Sequence, residues 1–131
     1  MGTTKTDPDV YRMIVAFASA IGMAPIELKE EHPRYILNSL LTPFLDDVVV
    51  ELLADGVADP ETVDKTWRIA TRSSLGPFQI LDMVGLRTVY NIDAAGNEEQ
   101  QRLARFLKEN YIDKGKLGLD SGEGFYSYPS N

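Results

Sequence analysis

The sequence predicts a mainly α-helical fold: a helical bundle over residues 31–131, preceded over residues 1–30 by one helix and an orphan strand. Three observations carry this. Tyr35 to Asp55 contains apolar residues in adjacent pairs, Ile36/Leu37, Leu40/Leu41, Phe44/Leu45, Val48/Val49 and Leu52/Leu53. Pairs every four residues make a wide apolar stripe on one long helix. Helix-start signals of the Asp-Pro type occur twice, at Asp7-Pro8 and Asp59-Pro60, where the carboxylate caps free N–H groups and proline occupies the first helical turn. Finally, one short alternating segment reads as a strand, but no second convincing strand is available to pair with it.

In chain order, Asp7 caps a first helix whose Val10, Ile14, Phe17 and Ile21 share a face, with Gly22 as its stop. Ala24 to Lys29 alternates, with Ile26 and Leu28 on one side, and reads as the strand. An isolated strand is unstable in water, so residues 1–30 read as the end of a domain whose sheet lies elsewhere. Glu30 to Arg34 is a charged junction. The long helix follows, kinked at Pro43, which has no N–H for the carbonyl of Ser39, and ends near Asp55-Gly56. After Asp59-Pro60, Val63, Trp67 and Ala70 give the next helix an inner face. Pro77 opens a helix that Gly85 closes. Leu86 to Ala95 reads as helical, although Arg87 to Ile92 has some strand character. Gly96-Asn97 turns the chain into a last helix, Glu98 to Lys114, with Leu103, Phe106, Leu107 and Tyr111 facing inward. In the glycine-rich tail, glycines permit tight bends while Phe125, Tyr126 and Tyr128 anchor it to the helices.

Composition narrows the function. The 131 residues, 44% of them hydrophobic, suffice for one compact core and are too few for two full domains. A net charge of −7 disfavours nucleic acid, which needs a basic footprint. No run is long and apolar enough for a membrane span. The absence of cysteine excludes disulfides and thiol chemistry and leads to the expectation of a cytoplasmic protein.

Chemistry-bearing residues are few. Asn38 lies about one turn before Pro43 among apolar neighbours. It reads either as a local structural hydrogen bond at the kink or as a substrate contact. His32, the single histidine, stands in the charged junction and reads as a solvated residue. Asp46 and Asp47 are adjacent and diverge by about 100° on a helix, so metal binding is not expected. The tail glycines between Gly115 and Gly124 follow a helix and carry Asp120 and Glu123. A phosphate loop needs a strand before it and a helix N-terminus after it. Enzymes lower barriers by about 8 kcal/mol or more. One hydrogen bond from Asn38 supplies roughly 1–3 kcal/mol, so the chain is not expected to catalyse a reaction alone.

Five stretches together resemble the C-terminal part of the NAD-dependent 3-hydroxyacyl-CoA dehydrogenases, of the 3-hydroxybutyryl-CoA type. They are Phe17 to Ile26 (FASAIGMAPI), Pro33 to Pro43 (PRYILNSLLTP), Asp55 to Glu61 (DGVADPE) with Asp64, Leu75 to Leu86 (LGPFQILDMVGL), and Gly118 to Tyr128 (GLDSGEGFYSY). The resemblance implies a helical domain of the 6-phosphogluconate dehydrogenase C-terminal-domain-like fold, preceded by a remnant Rossmann helix and strand. It also implies hydride transfer from the 3-hydroxyl of a short-chain acyl-CoA to NAD, and a homodimer formed through the helical domain. Of the family's catalytic groups, the asparagine that helps hold the reacting oxygen matches Asn38. The family's His–Glu pair, its serine and its NAD-binding glycines match nothing here, and His32 falls outside the histidine motif. This implies that the chain alone binds no NAD and is inactive. Arg34, Ser39, Ser74 and Asp120 depart from the usual glycine, arginine, proline and lysine at those positions. A self-standing helical oligomerisation or acyl-CoA-binding module is the alternative.

Overall fold

The computed structural model describes residues 2–32 and 35–129, apart from the side chains of Asp46 and Asp47. Pro33 and the Arg34 departure, and the divergence of the Asp46 and Asp47 carboxylates, therefore lie outside the described residues. The chain forms two compact units, residues 1–40 and 41–131.

In the first unit, α1 runs Pro8–Ala20. Asp7 caps it by accepting from the N–H groups of Asp9 and Val10 at 2.7 and 3.3 Å. It ends at Gly22, where the N–H of Met23 donates to the carbonyl of Ala18 at 3.0 Å and that of Gly22 to Ser19 at 3.1 Å. This crossed pair closes the last turn. The shared apolar face exists as expected, but it covers nothing: α1 has no buried residue, and Phe17 is 63% exposed. The strand expected over Ala24 to Lys29 is corrected: the segment is irregular, and no sheet is present among the described residues. Its side chains alternate, but its backbone has no edge to pair with, and Ile26 stays exposed.

The predicted long helix is observed in three segments. An α-helix, α2, runs Tyr35–Pro43. A π-helical segment follows at Phe44–Val49, and α3 runs Val50–Ala54. Proline removes one N–H from the ladder, and the wider i→i+5 spacing begins just after it. The run ends at Gly56 by the same crossed pair as α1, Val57 N–H to Leu52 and Gly56 N–H to Leu53 at 2.9 and 3.1 Å.

In the second unit, α4 (Pro60–Thr71), α5 (Pro77–Val84), α6 (Leu86–Ala94) and α7 (Glu98–Asn110) follow in sequence. Residues 87–92 are helical, so their strand character is overridden. The last helix stops at Asn110, before the expected Lys114, and Ile112–Lys114 forms a tighter 3-10 turn. Leu45, Val49 and Val50 meet Phe78 and Leu81 of α5, Leu86 and Val89 of α6, and Leu103 and Leu107 of α7 in one buried core. Burying each such side chain contributes about 1.5–3 kcal/mol. The core accounts for the inward spacing of Leu103 and Leu107, with Phe106 and Tyr111 packed at its edge.

Candidate functional site

Asn38 is exposed on α2, and its amide side chain has no hydrogen-bond partner among the described residues. The local bond at the kink is therefore absent, and the amide's donors and acceptor are open to a ligand. His32 and Ser39 lie close together, with Ser39 Oγ 3.2 Å from His32 Nδ1. The Ser39 hydroxyl also meets its own helix, donating to the Tyr35 carbonyl. They border a cavity of about 400 Å³ with Glu30, Glu31 and Tyr35. Asn38 does not line that cavity, so the structure does not bring these residues together with it. Among the described residues no group of three or more histidines, cysteines or carboxylates could hold a metal, and no helix is long and apolar enough to cross a membrane.

Two buried aspartates, without a role in the residue pattern, organise the second unit. Each is about 1% exposed. Asp64 of α4 accepts from the N–H groups of Phe78 and Gln79 at 2.8 and 3.2 Å. It thus caps α5 from a different helix, where the dipole favours negative charge. Its Oδ2 also accepts from the Tyr126 hydroxyl at 2.9 Å. Asp82 of α5 accepts from the N–H groups of Phe125 and Tyr126 at 2.9 and 3.0 Å and from the Tyr128 hydroxyl at 2.8 Å. Every partner of Asp82 belongs to the tail, which is strapped onto α5 by a carboxylate. Burial, reinforced by these carboxylates, raises the phenols of Tyr126 and Tyr128 well above the usual tyrosine value. Burial first, and then Asp82, raises Tyr111. Phe125 completes the strap edge-on to Phe78, ring centroids 4.6 Å apart.

The signal for this clasp was present. Asp82 follows Leu81 and falls at i+4 from Phe78, on the face that packs inward, and a carboxylate there must find donors. The tail glycines serve the same contact. A Cβ on Gly124 would stand 2.0 Å from Asp82 Oδ1, and one on Gly118, at φ +108°, 2.3 Å from the Asp82 carbonyl oxygen. Gly118 and Gly124 thus serve the close packing of the tail against α5.

A groove of about 330 Å³ runs between the π-helical segment and α4. Phe44 and Trp67 stack along it with ring centroids 4.8 Å apart, and Val48, Val57 and Ala70 line its open side. The Thr66 hydroxyl in its wall donates to the Thr62 carbonyl at 2.8 Å, leaving the lining almost wholly apolar.

Fold and site together define a helical bundle domain whose C-terminal strap is held by buried carboxylates. Residues 35–128 match the family described as 3-hydroxyacyl-CoA dehydrogenase, C-terminal domain, and the chain belongs to that family. The mitochondrial hydroxyacyl-coenzyme A dehydrogenase of Mus musculus is 32% identical over 130 residues, covering 96% of this chain and 41% of the relative. Among solved structures, one described as substrate-directed dual catalysis of dicarbonyl compounds by diketoreductase is 65% identical. Its TM-score is 0.88, covering 98% of this chain and 45% of that one. The (S)-3-hydroxybutyryl-CoA dehydrogenase of Ralstonia eutropha is 25% identical with a TM-score of 0.76, covering 97% of this chain and 45% of that one. The chain thus spans less than half the length of these relatives.

The relatives also correct the cytoplasmic expectation. Those from mouse, human, rat and pig are mitochondrial by name. A lack of cysteine does not distinguish the cytosol from that compartment.

Proposed function

We propose that this chain is the substrate-binding and dimerisation domain of an NAD-dependent 3-hydroxyacyl-CoA dehydrogenase. The complete enzyme moves hydride from the 3-hydroxyl of a short-chain acyl-CoA to NAD, and Asn38 contributes a hydrogen bond to the reacting oxygen. Residues 1–30 are the end of the dinucleotide-binding domain, and residues 31–131 are the helical domain of the 6-phosphogluconate dehydrogenase C-terminal-domain-like fold. The family match over residues 35–128 carries this reading, and the exposed, unpartnered Asn38 amide is consistent with it.

The test is NADH oxidation with acetoacetyl-CoA. The chain alone is expected to show none, and turnover is expected once a dinucleotide-binding domain is present. Turnover by the 131 residues alone would overturn the predicted inactivity; none in either case would overturn the family reaction. In the active form, Asn38→Ala should lower kcat by about 10- to 100-fold, the worth of one hydrogen bond to developing charge, without changing the melting temperature of this exposed position. An unchanged kcat would remove Asn38 from the site.

A second reading, reduction of a dicarbonyl compound that is not a CoA thioester, is favoured by the 65% identity to the diketoreductase structure. Supplying a dicarbonyl compound that is not a thioester in place of acetoacetyl-CoA in the same assay separates the two.

A further inference from the structure

We draw no further inference here: the strongest candidate, the apolar groove between the π-helical segment and α4 beside Phe44 and Trp67, is a surface for which nothing in the structure shows what covers it.

Discussion

Two regions of this molecule start from the same kind of sequence and end differently. α1 and α7 are each 13 residues long, capped at the N-terminus by Asp7 and Asn97, and amphipathic. α7 buries Leu103, Ala104 and Leu107 completely, whereas α1 buries nothing. An amphipathic face is thus a demand for a partner and does not supply one. The helix itself forms in both cases because caps and local ladders are short-range. The energy of burial appears only where α5, α6 and the π-helical segment provide the other wall.

The substitution expected to act most strongly lies on the side that has its partner. Asp82→Ala removes three hydrogen bonds from the strap and leaves two partly buried N–H groups without an acceptor. Urea unfolding should show a loss of about 3–5 kcal/mol. A loss under about 1 kcal/mol would mean the strap is not what closes the second unit.

Tyr126→Phe is the milder version. It removes one bond to Asp64 and should cost about 1–2 kcal/mol. It also carries a pH signature. Because the folded phenol is raised above the unfolded value of 10.0, folding binds that proton more tightly. The stability it contributes is complete below about pH 10 and is lost as pH rises beyond it. The wild-type melting temperature should therefore fall between about pH 10 and 11 more steeply than that of Tyr126→Phe. Equal slopes would separate Tyr126 from the alkaline transition.

The smallest effect belongs to α1. Phe17→Ser should change the stability of the chain by no more than about 0.5 kcal/mol, since the ring is already in water. With a dinucleotide-binding domain present, the same substitution should cost about 3 kcal/mol or more if that domain covers the face. No difference between the two forms would mean that the face of α1 is not where such a domain packs.

Much of the fold was legible in the residues. Asp7-Pro8 and Asp59-Pro60 announce helix starts, Gly22 and Gly56 announce stops, and the 3.6-residue period identifies the inward face of α7. The aromatic tail anchors were legible as well. The strand over Ala24 to Lys29 was misread because alternation records which way side chains point, while a strand exists only if another backbone accepts its hydrogen bonds. The end of the last helix at Asn110 was missed because four further residues keep helical character and only the turn into the strap, at Gly115, requires the earlier stop. Asn38 is a candidate by its residue type and by resemblance. Its open, unpartnered amide became visible only once α2 was placed.

Short-range chemistry in the sequence by itself determined the helical class, the caps and turns, and membership in a family. Tertiary structure alone decided what Asp64 and Asp82 do. A buried carboxylate is tolerable only where donors converge on it, and those donors come from Phe78 and Gln79 for Asp64 and from a tail more than forty residues downstream for Asp82. No local pattern records that convergence, because it arises only when distant segments meet around one charge.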